Sequence, residues 1–260
     1  FNPDNSGNTA EFSVVDSVNS ITATSVNMED VDKTTATPYL YTGFVINKSF
    51  LLDGVDEALY VSNASLTGYL NGASKKYTIL TTLKRNTTGG VQTIFGDSTS
   101  KLFASFNGTN KIQLRTRKGT DTFAQSTLSY SDTTDFYTIA ITYDGTQALG
   151  SRVKIYVNGL IVASGDNVHD QIDNATGLWV IGSRGLSTDW LSATQNQFSI
   201  NDLMTDAEIL THYNKGLPLN PQTQLSTRNY WFLNPDDSGN TAQFSVVDSV
   251  NSITAVSVNM

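Results

Sequence analysis

Cysteine is absent from the sequence, so disulfides and thiolate metal sites are excluded and stability rests on packing. Histidine occurs only at His169 and His212, which without cysteine makes a zinc centre improbable. Charged residues are 15% of the chain, the formal net charge is −8, and no Lys/Arg-rich run occurs. The basic footprint of a nucleic-acid binder is therefore missing. No stretch approaches the roughly 18 apolar residues of a membrane span. No basic segment followed by an apolar one opens the chain, and the compartment is not readable from a leader. With Phe1 in first place, the sequence reads as a processed or excised piece of a longer chain.

What is present suits short strands and polar turns. Hydrophobic residues make up 38% of the chain, and the remainder is rich in Ser, Thr, Asn and Gly, a composition of β structure rather than of helices. A chain of this length can form one β-sandwich with a sizeable core. Tyr77 to Leu83 is dense in β formers. Lys111 to Lys118 alternates, with Ile112 and Leu114 on one side and Lys111, Gln113, Arg115 and Arg117 on the other. This predicts a basic stripe on an exposed sheet face, either simply solvated or a contact for an acidic glycan. Phe136 to Tyr143 and Val153 to Val157 read as strands. Asn158-Gly159 between Val157 and the returning Leu160 to Ala163 predicts a type I′ hairpin, whose two central residues need positive φ. Gly89-Gly90 reads as another hairpin tip, not a phosphate-cradling loop. Leu178 to Gly182 reads as a buried strand, with Trp179 in the core. One helix is signed, by the capping box Thr205-Asp206-Ala207-Glu208, with Ile209, Leu210 and Tyr213 as its apolar face. Gly216 and Pro218 close it.

The organising feature is a repeat. Asn2 to Met28 recurs as Asn234 to Met260, an offset of 232 residues, and only Asn5/Asp237, Glu11/Gln243 and Thr24/Val256 differ. Chance does not produce this; it is a duplication. The reading is one domain over residues 1–220, then a segment over 221–260 made of a polar linker, Pro221 to Arg228, and the second copy. In that copy Phe244, Val246 and Val247 suggest one strand, and Ile253, Ala255, Val256 and Val258 another. A lone hairpin is marginal in water. The second copy is therefore either the start of a further domain or a docking element, with Asn234, Phe244, Val246 and Val258 as assembly residues. Docking would add it to its own sandwich or to a neighbouring molecule by strand addition.

At this point the motifs resemble the laminin-G-like modules of the concanavalin A-like lectin/glucanase superfamily. Leu51 to Val61 (LLDGVDEALYV) is similar to their F-D-G-x-D-D-Y-V strand, and Tyr77 to Leu83 to F-T-I-S-x-W-V. Phe136 to Gly145 (FYTIAITYDG) resembles W-H-H-V-A-V-T-Y-D-G, Val153 to Gly159 resembles V-K-L-Y-V-D-G, and Ile181-Gly182 fits the I-G strand. Leu203 to Gly216 resembles the closing helix, and Trp231 to Asp248 the opening W-x-F-x-x-x-S-G-x-x-x-x-D. The motifs follow the family's order over nearly the whole chain. They imply an all-β, two-sheet antiparallel jelly-roll sandwich with one short C-terminal helix. Departures are Thr82 where the family carries Trp, and a short strand over Gln197 to Asp202 before the helix.

The fold hosts lectins, glycanases and structural modules, so function must come from a site. Glycanases of the superfamily set two carboxylates on one strand face, as Glu-x-Asp-x-x-Glu or a close variant. The four glutamates, Glu11, Glu29, Glu57 and Glu208, do not have that spacing. Calcium is the cofactor to consider, held by carboxylates and carbonyls at the sandwich rim; candidate ligands are Asp4, Asp16, Asp97, Asp144 and Asp189. For a sugar, an aromatic ring must stack on one face while polar groups take the hydroxyls. The loop from Ser183 to Trp190 offers Arg184, Asp189 and Trp190. The expected role is a non-catalytic structural or adhesive module in a virion, as a phage fibre or head decoration, or in another extracellular surface array. Its partners would be copies of itself or neighbouring subunits. The alternative is a carbohydrate-binding, lectin-like domain of a secreted bacterial protein that recognises a cell-surface glycan. A glycoside hydrolase is the third reading.

Overall fold

The structure is a computed structural model. It describes residues 13–15, 22–24, 40–41, 44–45, 49–55, 57–61, 64–164, 168–170, 178–185, 188–213, 227–232, 245–247 and 254–258. The first repeat forms strands β1 (Ser13–Val15) and β2 (Thr22–Thr24), followed by β3 (Leu40–Tyr41) and β4 (Phe44–Val45). Then come β5 (Phe50–Asp53), β6 (Ala58–Val61), helix α1 (Ala64–Leu70), β7 (Lys76–Arg85), β8 (Gln92–Asp97), β9 (Leu102–Phe106), β10 (Ile112–Lys118) and β11 (Thr120–Gln125). The chain continues through β12 (Tyr137–Asp144), β13 (Val153–Val157), β14 (Leu160–Ser164), β15 (Trp179–Ile181), β16 (Ser192–Asn201) and helix α2 (Asp206–Tyr213). It closes with β17 (Thr227–Phe232), β18 (Ser245–Val247) and β19 (Thr254–Val258).

These strands make two antiparallel sheets. One has eight strands in the order β11-β10-β9-β8-β15-β6-β19-β18. The other has seven: β14-β13-β12-β7-β16-β17, with β5 also pairing β16. The hairpins β1-β2 and β3-β4 each stand as a separate two-stranded sheet. Alternation along the strands sends one set of side chains between the sheets. From the eight-stranded sheet come Phe95, Leu102, Ala104, Phe106, Ile112, Leu114, Trp179 and Ile181; from the seven-stranded sheet come Tyr77, Ile79, Leu83, Ile139, Ile141, Val153, Ile155, Phe198 and Ile200. Phe95 stacks on Trp179 at 5.5 Å between centroids and meets Phe198 of the opposite sheet at 5.0 Å. Trp179 is fully buried, as its strand pattern predicts, and its indole N–H donates to Thr67 Oγ1 at 3.0 Å.

The all-β two-sheet sandwich and the short C-terminal helix agree with the sequence. The capping box forms: Thr205 N–H donates to Glu208 Oε2 at 2.6 Å, and Glu208 N–H donates to Thr205 Oγ1 at 3.3 Å. Residues Gly216 and Pro218, read as the helix stop, lie outside the described residues. Asn158 and Gly159 both take positive φ, 52° and 77°, the geometry of a type I′ turn. Three features differ from the sequence reading. A further helix, α1, links β6 to β7 and buries Leu66 and Leu70 in the core. The strand before α2 is not short but ten residues long. Thr227 and Arg228, read as linker, begin β17, which pairs with β16.

The second copy of the repeat completes the eight-stranded sheet of its own chain. Strand β19 pairs antiparallel with β6 through Val256↔Tyr60, Ser257↔Leu59 and Val258↔Ala58. Strand β18 lies outside it, with Val246 opposite Ala255.

Candidate functional site

The outer face of the eight-stranded sheet carries an unusual row. Phe123, Arg115, Phe103, Gly96, Val180 and Tyr60 occupy matching register positions across six adjacent strands. Their sequence neighbours Ala124, Leu114, Leu102, Ala104, Ile181 and Leu59 belong to the core, so alternation places the row on the opposite face. Gly96 is required there: a Cβ at this position would lie 2.6 Å from Phe103 Cβ and 2.9 Å from the Leu102 carbonyl.

Two guanidinium groups sit over the Phe103 ring, Arg115 at 4.9 Å and Arg184 at 5.5 Å from its centroid. Each cation is also paired with a carboxylate. Arg115 Nη2 donates to Asp121 Oδ2, and Arg184 Nη2 lies 3.0 Å from Asp189 Oδ2. The ring quadrupole and the carboxylates together hold both guanidiniums in fixed orientations. Phe103 is thereby sealed, at 3% exposure, and Arg115 is only 9% exposed. Phe123, next to Arg115 on β11, stays 43% exposed. Two strand spacings, about 10 Å, separate Phe123 from Phe103.

Backbone geometry positions the loop that brings Arg184. Gly182 and Gly185 take φ of 95° and 71°, and Asp189 takes 56° in the left-handed region. Arg184 N–H donates to the Thr188 carbonyl at 3.0 Å, closing the loop on itself. Thr93 N–H donates to the Asp189 carbonyl at 2.8 Å, pinning it to β8. The loop thus reaches the sheet face as a tethered unit rather than a free excursion.

Of the residues expected to bind a glycan, Arg184 and Asp189 form one ion pair, and Trp190 follows them in the chain, half-buried. Sequence reading did not select Phe103, Phe123 or Asp121. Arg115 was expected on an open basic stripe; instead its guanidinium sits over Phe103 and the residue is almost covered, as is Gln113, whose amide donates to Ser105 Oγ at 3.0 Å. The alternation of β10 identified the correct face. The cross-strand partner that closes over it belongs to β9, and no local pattern reveals it.

The expected calcium ligands fall at separate places. Asp97 is fully buried, and its Oδ1 accepts the N–H groups of Lys101 and Leu102 at 2.6 and 2.7 Å while its Oδ2 accepts Thr99 N–H at 2.9 Å. Asp144 accepts Thr146 N–H at 3.0 Å and the Gln147 amide at 3.1 Å, and faces Lys76 at 3.3 Å. Both carboxylates organise the turns that follow their strands. Asp189 faces Arg184. Asp4 and Asp16 lie outside the described residues, as do the assembly residues Asn234 and Phe244. Among the described residues, no three His, Asp or Glu side chains gather as a metal-holding group.

A second concavity, of about 600 Å³, opens where α2 meets the outer face of β12 and β13. Its polar groups are engaged with one another. Tyr156 Oη donates to Asp206 Oδ1 at 2.7 Å, and Lys154 Nζ lies 2.9 Å from the same oxygen. The tyrosine and lysine hold the Asp206 carboxyl below its ordinary range; burial, reinforced by Asp206, pushes the Tyr156 phenol up. Arg152 donates to the carbonyls of Gln147 and Val168 at 3.0 and 2.7 Å.

Two antiparallel sheets facing across one apolar core define a concanavalin A-like sandwich. The laminin-G-like family model described as the concanavalin A-like lectin/glucanases superfamily matches residues 53–210, and the chain belongs to that family. A search of curated protein sequences gives no match. Among solved structures, the native heptameric SAP-like pentraxin from Limulus polyphemus superposes with a TM-score of 0.47 at 13% identity, covering 79% of this chain and 93% of that one. The CBM40 of the Ruminococcus gnavus IT-sialidase gives 0.49 at 12%, covering 63% and 96%. Domain 4 of AbnA, a GH43 extracellular arabinanase from Geobacillus stearothermophilus, solved in complex with arabinotriose, gives 0.48 at 17%, covering 66% and 79%.

Proposed function

We propose that this chain is a non-catalytic, lectin-like module of an extracellular surface. It binds a short oligosaccharide on the outer face of the eight-stranded sheet, between Phe123 and the Arg184–Asp189 loop. The observation that supports this reading is the exposed Phe123 ring standing in register beside the Arg115–Phe103–Arg184 stack. The ring offers one sugar face an apolar platform, while Asp121 and Asp189 accept, and Arg184 donates, hydrogen bonds to hydroxyls. Holding these groups by stacking and ion pairing before the ligand arrives lowers the ordering cost of binding. With two arginines set against two carboxylates, the site suits a neutral sugar better than a strongly acidic one.

Hydrolysis is disfavoured by how the described glutamates are employed. Glu57 accepts Asp53 N–H at 2.5 Å and Glu208 closes the helix cap, so each carboxylate serves the backbone. A structural role in a repeated surface array, including a virion, is the second reading. It is favoured by the tandem sequence and by the use of its second copy to finish the sheet.

The test is a screen of immobilised neutral and sialylated oligosaccharides, run with calcium and with a chelator, with released sugar assayed in parallel. The proposal expects selective binding of neutral oligosaccharides without sugar release. Calcium dependence would assign Asp189 a ligand role. Absence of binding across the panel, or turnover of a bound glycan, contradicts it.

A further inference from the structure

We infer that hairpin β1-β2 is a donor element that takes the place of β18-β19 on strand β6 of a second copy of this chain. The inference is independent of the sugar site and rests on the register of the two repeat copies. In the first copy, Ser13 pairs Thr24, Val14 pairs Ala23 and Val15 pairs Thr22. In the second, Ser245 pairs Val256, Val246 pairs Ala255 and Val247 pairs Thr254. Each pair is shifted by the repeat offset of 232 residues, so the two hairpins are the same object in sequence and in internal pairing.

Their surroundings differ. The second hairpin is docked: β19 hydrogen-bonds to β6, whose Ala58 and Leu59 are buried at 0% and 1%. Among the described residues, the first hairpin pairs only with itself. A two-stranded ribbon alone is marginal in water, and this one has a sequence already fitted to a particular sheet edge. Of the β19 positions facing β6, Ser257 and Val258 correspond to the identical Ser25 and Val26; only Val256, opposite Tyr60, is changed, to Thr24. Backbone pairing is indifferent to that change.

Tethering sets the order of occupancy. The chain's own hairpin, tethered and carrying Val256, has an effective concentration of about millimolar and closes the sandwich in dilute solution. The donor hairpin of another copy competes when chains are crowded, or when the chain's own hairpin is displaced. Donor hairpin and acceptor edge are different surfaces, so two copies that exchange hairpins close a pair, and copies that donate in one direction form a longer series.

The absence of cysteine makes the test clean. Full chains carrying only Thr24→Cys are mixed with full chains carrying only Tyr60→Cys and oxidised over rising concentration. The inference expects a covalent heterodimer that grows with concentration to about tenfold above the homodimer of either chain alone. No excess of heterodimer up to millimolar protein overturns it. A second arm displaces the chain's own hairpin with Val256→Pro, which removes a ladder N–H from β19. This variant is expected to form concentration-dependent oligomers in light scattering, and adding Thr24→Pro returns it to monomer. A monomeric Val256→Pro chain, or an intrachain bond when Thr24→Cys and Tyr60→Cys are combined in it, overturns the second-copy assignment.

Discussion

At the scale of single residues, the molecule places its charges where neighbouring groups orient them, and buries the imidazole of His212. Arg85 is completely buried, with its guanidinium 4.2 Å from the Phe106 centroid and Nη1 donating to the Tyr130 carbonyl at 2.7 Å. His212, on the buried face of α2, lies 3.4 Å from the Gln197 amide, and burial pushes its imidazole down to about 4. An unfolded histidine protonates near 6.5, so between about pH 6.5 and 4 the unfolded state binds the extra proton. His212 therefore leaves stability intact above pH 6.5 and withdraws up to about 3 kcal/mol as pH falls towards 4. Denaturant unfolding of the native chain and of His212→Gln at pH 7 and 4.5 measures this: the native chain loses more stability over the interval than the variant. Gly96 gives a steric prediction. Gly96→Ala drives a methyl into Phe103 and is expected to lower stability by about 1–3 kcal/mol, read as a shift in denaturation midpoint. An unchanged midpoint would mean that β8 and β9 separate without cost.

At the scale of elements, the turn between β13 and β14 and the cap of α2 were legible because local chemistry dictates them. Asn158-Gly159 supplies two positive φ angles, and Thr205 with Glu208 satisfies helix-start amides reciprocally. Gly159 has a second duty, since a Cβ there would meet Leu210 Cδ1 at 2.9 Å and Tyr213 at 3.0 Å. Gly159→Ala is therefore expected to cost more than the roughly 1–2 kcal/mol of a left-handed non-glycine residue, and thermal denaturation checks it. The length of strand β16 was hidden for the opposite reason. Only Gln197 to Asp202 read as strand, because the polar SATQN before it carries no strand pattern, yet all ten residues of β16 are buried. Long-range partners pair its polar side chains: Gln195 donates to Thr81 Oγ1 and Gln197 to Thr82 Oγ1, both at 2.8 Å. The threonines of β7 read as ordinary β formers, and nothing local couples them to amides more than 110 residues away. Helix α1 was missed because its short, glycine-containing stretch has no acidic first turn. Arg184 and Asp189, singled out in the sequence, are brought together as an ion pair, whereas the placing of Phe103 and Phe123 beside Arg115 was not legible, because they come from two other strands and meet only through register.

At the scale of the whole molecule, the repeat and the sheet explain one another. The eight-stranded sheet is finished by the last strands of the chain, and the first strands repeat them. Completion in cis and the proposed donation in trans would then be two uses of one hairpin sequence. The same sheet presents the Phe123 and Arg184 face, so completing its edge fixes the frame on which that face is held. The most direct test of the sugar-binding claim is calorimetric titration of the full chain with the best neutral oligosaccharide from the screen. Native protein is compared with Phe123→Ala, Arg184→Ala and, as a control in the separate groove beneath α2, Lys154→Ala. The account predicts affinity losses of about tenfold or more for the first two variants, equivalent to about 1.4 kcal/mol each, and none for the third. Equal affinity in Phe123→Ala and Arg184→Ala, or a loss confined to Lys154→Ala, would contradict it and move the binding site to the other sheet.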